Sequence, residues 1–175
     1  MKQTREQYFA DFLNWFWLRP ESALLLALRA EKYASTLSDF DIESSIDVSC
    51  GDGVFSFLTL GGKISSESDM YQALDPKLSA RQGNYDVFDH YDNSYKVKIE
   101  NDPLLRYSVG ADWKSNLLAK AEKLNFYKKL VVHDNNDPLP FESNRFQYVY
   151  SNSAYWVENF VEHLEDLVRI AKPRG

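Results

Sequence analysis

The chain has 175 residues, of which 44% are hydrophobic, enough apolar material for one well-buried domain and too little length for two of ordinary size. Its formal charge is −6, with 20 basic against 26 acidic residues and no lysine- or arginine-rich run, which argues against nucleic acid as a partner. One cysteine leaves no internal disulfide framework and suits a reducing compartment, and the apolar stretch 13–18 is too short for a signal core, so no membrane partner and a cytoplasmic location are expected.

The first 45 residues read as helix, turn and helix. Tyr8, Phe9, Phe12, Leu13, Phe16 and Trp17 recur at spacings of three and four, which paints one helical face aromatic. Pro20 suits the first turn of a second helix over 21–37, with Leu24, Leu25, Ala27 and Leu28 expected on its buried side. These helices should form a cap that packs on the domain. A roof over a ligand pocket is the sharper alternative, but an aromatic stripe is usually core.

Residues 46–56, IDVSCGDGVFS, read as a buried strand running into a glycine-rich turn. Ile46 and Val48 are strand formers, Asp47 stands near the strand's carboxyl end, and Gly51 and Gly53 precede the apolar stretch 54–60. Glycines there allow positive φ and let a ligand come close to the backbone, where free amides can meet an anionic group. The nicotinamide and flavin fingerprint GxGxxG, set on Gly51 and Gly53, places Ser56 where the third glycine belongs, so that cofactor class fits poorly. Cys50 has no base or cation nearby in sequence and reads as a small filler rather than a reactive thiol.

After Gly61 and Gly62 the stretch 63–103 is polar, rich in Tyr, Asp, Ser and Asn, and has few apolar runs besides 97–99. Such a length without a clear period reads as an insertion, either a lid or a segment packed on the domain. Tyr85, Phe88, His90 and Tyr91 are its candidate pocket residues. Three further strands follow: LRYSVGADW at 105–113, ending in an acid; 129–133, ending at Asp134 and Asn135; and RFQYVYSNS at 145–153, preceded by LPF at 139–141. The chain closes with LVRIAKPRG at 167–175, a helix end and turn. His90, His133 and His163 have no metal-ligand spacing, so no metal is expected and packing or surface roles are favoured.

Taken in this order, the segments resemble the class I S-adenosylmethionine-dependent methyltransferases of the small-molecule type. The family's first motif, an acid followed by GxGxG, is met by Asp47 and by Ser49, Cys50, Gly51, Asp52 and Gly53, with Ser49 replacing one glycine. The LPF stretch with its following strand and polar end, and the KPRG turn in place of KPGG, match later family segments. The resemblance implies a Rossmann-like three-layer α/β sandwich with a mostly parallel sheet in the order 3-2-1-4 and an N-terminal helical cap. It covers one domain over 1–175, with the cap at 1–45, the core at 46–62 and 104–175, and the insertion at 63–103. The ribose-binding acid ordinarily lies about 20 residues beyond the glycine turn, whereas Gly53 and Asp112 stand 112 − 53 = 59 positions apart; the insertion accounts for the difference.

The implied cofactor is S-adenosyl-L-methionine, with S-adenosyl-L-homocysteine as product. Its methionine portion would lie on the turn 49–53, supported by Asp47; its ribose on Asp112 beside Trp113; its adenine at Asp134 and Asn135, with Ser151 closing the set. A carboxylate suits the ribose because it accepts two hydrogen bonds at once. The catalytic residues stay unassigned, and the weak candidates Tyr155, Trp156 and Glu158 follow the fourth strand with Asn152. The Glu-His pair that many relatives carry near here is absent, replaced by Tyr155, Trp156 and Val157. An enzyme acting on a small-molecule or glycan-precursor acceptor is therefore preferred, and a catalytically inactive binding or scaffold domain is the alternative. The family usually continues beyond the KPRG turn, so the chain is expected to be a fragment of a longer protein or a reduced domain. In the second case the fourth strand keeps an open edge, through which a homodimer would form.

Overall fold

The computed structural model describes residues 3–37, 44–71, 89–152 and 154–173. In chain order its elements are α1 (Arg5–Trp15), α2 (Pro20–Thr36), β1 (Ser45–Val48), α3 (Val54–Thr59), β2 (Lys63–Ile64), β3 (Ile99–Asn101), β4 (Val109–Asp112), α4 (Ser115–Lys123), β5 (Lys129–Val132), β6 (Tyr148–Ser151) and α5 (Phe160–Ile170). They fall into two compact units: the described residues of 1–38 with 54–104, and those of 39–53 with 105–175.

The first unit is helical. A capping box starts α1: the Gln7 amide donates to the Thr4 hydroxyl at 3.3 Å, and the Thr4 amide to the Gln7 side chain at 2.8 Å, which satisfies two donors that the first turn would otherwise orphan. Tyr8, Phe12 and Trp15 are the buried residues of α1, and the Tyr8 hydroxyl donates to the Thr59 carbonyl of α3 at 3.1 Å. The aromatic stripe is thus core, with two corrections. Trp15 lies inside, and Trp17, beyond the end of the helix, is 51% exposed.

The inward face of α2 also differs from the expected one. Ala23, Ala27, Ala30 and Tyr33 are buried, whereas Leu24, Leu25 and Leu28 are 49%, 56% and 41% exposed. The alanines form a narrow stripe that lets neighbouring backbones approach, and the large aromatic rings of α1 and α3 fill the remaining space. Phe55 stacks on Phe12 at 5.8 Å and meets Tyr33 at 6.0 Å. Leu25→Gln is accordingly expected to change stability by less than about 0.5 kcal/mol, while Ala27→Leu should cost about 1–3 kcal/mol by overpacking. Urea unfolding midpoints of the two variants check the assignment, and the reverse ranking would refute it.

The insertion 63–103 begins and ends in a two-stranded antiparallel ribbon, with Lys63 opposite Asn101 and Ile64 opposite Ile99. The Asn101 side chain donates to the Gly61 carbonyl at 3.2 Å and the Lys98 amide to the Ser68 hydroxyl at 3.0 Å, so both ends are tied down. Tyr85 and Phe88 lie outside the described residues. His90 pairs with Asp92 at 3.3 Å, and the Tyr91 ring contacts Tyr95 at 5.9 Å.

The second unit holds the parallel sheet, in the order β5-β4-β1-β6. This is the expected order, the third, second, first and fourth main strands side by side. Ile46 pairs with Val109 and Val149, and Asp47 lies between Gly110 and Tyr150. The strands are shorter than the sequence runs that announced them. At the entry to β1 and β4, the Ser45 and Ser108 amides each donate to the other's hydroxyl, at 3.3 and 3.2 Å. The core is built from Ile46, Val48, Val109, Leu139, Phe146 and Ile170, with Val131, Val149 and Leu167 packed around it.

Among the described residues β6 stands at the edge of the sheet with no strand beyond it. Ahead of it, Phe146 forms an isolated parallel bridge to Ala171, and the Lys172 amide donates to the Phe146 carbonyl at 2.7 Å. Asp166 and Arg169 of α5 fasten the LPF stretch. The Leu139 amide donates to Asp166, and the Arg169 guanidinium donates to the carbonyls of Phe141 and Leu139. Among the described residues no helix is long and apolar enough to cross a membrane.

Candidate functional site

The end of β1 passes into a turn with three residues at positive φ: Ser49 at 63°, Gly51 at 58° and Gly53 at 78°. The two glycines serve different ends. A side chain built on Gly51 would meet nothing within 4 Å, while one on Gly53 would lie 2.9 Å from the Tyr127 ring and 3.3 Å from Leu124. Gly51 therefore leaves open space above the backbone, and Gly53 admits the packing of the chain that follows β4.

Ser49 takes the left-handed conformation that its position demands even though it is not glycine. Its hydroxyl accepts from the Asn135 side chain at 2.6 Å, a bond that offsets part of the ~1–2 kcal/mol cost of that conformation in an L-residue. The hydroxyl is thus engaged by Asn135. Ser49→Gly should then be close to neutral, within about 1 kcal/mol, because strain and hydrogen bond are lost together. A thermal melt that falls well outside this range would show that one of the two dominates.

Asp112, at the end of β4, holds the turn. Its Oδ2 accepts from the Gly51 amide at 2.9 Å and its Oδ1 from the Lys114 amide at 2.9 Å, and the residue is 7% exposed. The Cys50 amide donates to the Ala111 carbonyl at 3.0 Å, which fastens the turn to β4 a second time. Beneath it, Asp47 is 2% exposed and its Oδ2 accepts from the Tyr127 hydroxyl at 2.7 Å. Burial, reinforced by the neighbouring Asp47, pushes the Tyr127 phenol well above its ordinary range, so the hydroxyl stays protonated and remains a donor. Burial likewise raises the Cys50 thiol well above its usual value, with Asp47, Asp112 and Asp52 adding to the effect. A thiol kept protonated in this way is a poor nucleophile, as the filler reading requires.

The structure thus brings Asp47, Ser49, Cys50, Gly51, Asp52, Gly53, Asp112 and Asn135 into one turn with its supports. Ser151 closes β6 opposite Val48, and its buried hydroxyl has no hydrogen-bond partner among the described residues. Other candidates stand apart. Trp113 is 62% exposed with the Lys114 ammonium 5.4 Å from its ring centre, and Asp134 is exposed and accepts from the Asn136 amide at 3.0 Å. Trp156 is 77% exposed, the Glu158 amide donates to the Asn136 side chain at 2.9 Å, and the Tyr155 side chain lies outside the described residues. No group of three or more metal-ligating side chains forms among the described residues.

Tyr127 is the site residue that sequence reasoning passed over. The available signal was Gly110, a glycine inside an apolar strand, which marks a close approach by another group. A side chain built on Gly110 would lie 2.8 Å from the Tyr127 ring. One ring thus sets the identity of two glycines and holds the acid between them.

The sheet order and the flanking helices define a Rossmann-like α/β fold of the kind found in class I S-adenosylmethionine-dependent methyltransferases. Solved structures agree at that level. A Methanococcus maripaludis protein assigned to the S-adenosyl-L-methionine-dependent methyltransferases superposes with a TM-score of 0.50 at 15% identity over 97% of this chain and 55% of its own. A Haloferax volcanii protein, likewise assigned as a methyltransferase and solved with a methyltransferase activator, gives 0.50 at 17% identity over 99% of this chain and 57% of its own. The chain therefore spans little more than half the length of these two proteins, and the likeness is one of fold. No protein-family model and no curated protein matches the sequence.

Proposed function

We propose that this chain binds S-adenosyl-L-methionine on the turn 49–53 and takes part in methyl transfer to a small-molecule or glycan-precursor acceptor. The observation that carries the reading is the pairing of Gly51 with Asp112: open space above one, and a carboxylate that grips its amide at 2.9 Å. Asp112 accepts the Gly51 and Lys114 amides, one on each oxygen, and a carboxylate has roughly four acceptor positions, the chemistry that two ribose hydroxyls require. The Ser151 hydroxyl, unpartnered among the described residues, and Asn135, bonded to Ser49 of the turn, support the reading, while Asp134 is assigned to the adenine by the resemblance alone.

The bound cofactor supplies an electrophilic methyl group on a sulfonium. The residues of the chain bind and orient it. Asp112 would hold the ribose and the turn the methionine portion, and exclusion of water would protect the transfer. A general base is needed only for a weakly acidic acceptor; Tyr155, Trp156 and Glu158 after β6 are the candidates on that side. In this reading the chain is one methyltransferase domain, acting in the cytoplasm and pairing with a second copy along the outer edge of β6.

Calorimetry with S-adenosyl-L-methionine and S-adenosyl-L-homocysteine tests the proposal, which fails if neither binds. One observation favours the second reading, a binding or scaffold domain without catalysis: Tyr155, Trp156 and Val157 occupy the place of the Glu-His pair. Cofactor binding without transfer of labelled methyl to any extract component would select it.

A further inference from the structure

The side chains of Ser49 and Asn135 meet at 2.6 Å although 86 positions separate them in sequence. Ser49 follows β1 and Asn135 follows β5, and the sheet order β5-β4-β1 places β4 between those strands. Neighbouring strands lie about 4.8 Å apart, so the ends of β1 and β5 are separated by roughly 10 Å. The bond therefore reaches across the carboxyl end of β4.

Backbone contacts show how the two sides converge there. The His133 amide, in the chain leaving β5, donates to the Asp112 carbonyl, and the Cys50 amide, in the turn after β1, donates to the Ala111 carbonyl, both at 3.0 Å. Ser49 adjoins the second donor and Asn135 lies two residues beyond the first. Between them β4 ends in Asp112, whose carboxylate holds the Gly51 amide at 2.9 Å. Ser49 presents its hydroxyl from a backbone at a φ of 63°, which disfavours any residue with a Cβ. Glycine would fit the turn without that strain, and the bond to Asn135 is what the serine adds.

We propose that this bond is a clasp that closes the cofactor crevice in the free protein and opens as the cofactor enters. The inference rests on the reading of the turn as an S-adenosyl-L-methionine site. In that reading the ligand runs from the turn 49–53 past Asp112 to Asp134 and Asn135, the same course that the bond takes across β4. An amide and a hydroxyl 2.6 Å apart leave no room for a ribose or a purine between them, so the closed clasp and the bound ligand exclude each other. When only a fraction of molecules is open, the apparent affinity is reduced by that fraction. One neutral hydrogen bond sets the reduction at about three- to tenfold.

Binding of S-adenosyl-L-homocysteine to the full chain, followed by surface plasmon resonance, tests the clasp in wild type, Ser49→Gly and Ser49→Ala. Both substitutions remove the hydroxyl; glycine also relieves the strain at positive φ, and alanine does not. The expected result is binding about three- to tenfold tighter in both variants, with the gain in the association rate because more molecules stand open. A gain in one variant alone would assign the effect to the backbone of the turn, and a gain confined to dissociation would assign it to the bound state. Equal or weaker binding in both variants would show that the bond does not obstruct the ligand. Each of these results overturns the clasp and leaves the cofactor site standing, whereas absence of binding by all three proteins overturns the cofactor reading and the clasp with it.

Discussion

Asp112→Ala is expected to weaken binding of S-adenosyl-L-homocysteine by about 100-fold or more, and Asp112→Asn by nearly as much. Two charge-assisted hydrogen bonds to the ribose are worth about 1.5–3 kcal/mol each, and a factor of ten in affinity corresponds to about 1.4 kcal/mol. The carboxylate also holds the Gly51 and Lys114 amides, each at 2.9 Å, so its removal loosens the turn at the same time. Asparagine does not rescue the site. Its single carbonyl oxygen accepts from one of the two amides, and its NH₂ group then faces the other donor. Calorimetry gives the affinity, and thermal unfolding without ligand separates loss of contact from loss of turn. An affinity equal to wild type in the alanine variant would remove Asp112 from the site.

The sheet was legible in the sequence because four strand-forming runs ended in polar or acidic residues in a recognisable order, although only β1 and β4 are buried throughout and β5 and β6 are at most half-buried. The turn was legible because positive φ restricts residue choice so strongly that Gly51 and Gly53 stand out, and Ser49 could be recognised as an exception. The inward face of α2 was misread. Leucine is ordinarily the better guide to a buried face, yet in a close helix contact the decisive property is smallness, and Ala23, Ala27 and Ala30 carry no hydropathy signal strong enough to outweigh three leucines. Tyr127 was invisible for a different reason: its partners Asp47, Gly53 and Gly110 lie 80, 74 and 17 positions away in sequence, and a contact of that range leaves no local pattern.

Tyr127 supports the second large prediction, in which the cost of filling a glycine depends on the ring beneath it. Gly110→Ala is expected to destabilise the fold by about 1–3 kcal/mol through overpacking, since the new methyl group would lie 2.8 Å from the Tyr127 ring and 3.0 Å from Leu130. Gly53→Ala should cost more, about 2–5 kcal/mol, because the same kind of clash at 2.9 Å adds to a φ of +78° that alanine resists. In a Tyr127→Ala background, itself about 3–5 kcal/mol less stable, the Gly110→Ala penalty should largely vanish. Gly53→Ala should there keep only its backbone share of about 1–2 kcal/mol. Tyr127→Phe supplies the control that keeps the ring. It removes the bond to Asp47 and leaves a buried carboxylate short of a donor, at about 1–3 kcal/mol, but both alanine penalties should persist unchanged. Urea unfolding of the single and double variants measures every corner of these cycles, with the Tyr127→Phe background available should the Tyr127→Ala doubles fail to fold. If Gly110→Ala costs the same with and without the ring, Tyr127 is not what requires glycine there; if Gly53→Ala loses its whole penalty in Tyr127→Ala, the positive φ relaxes once the ring is gone, and the turn conformation is imposed by packing from below.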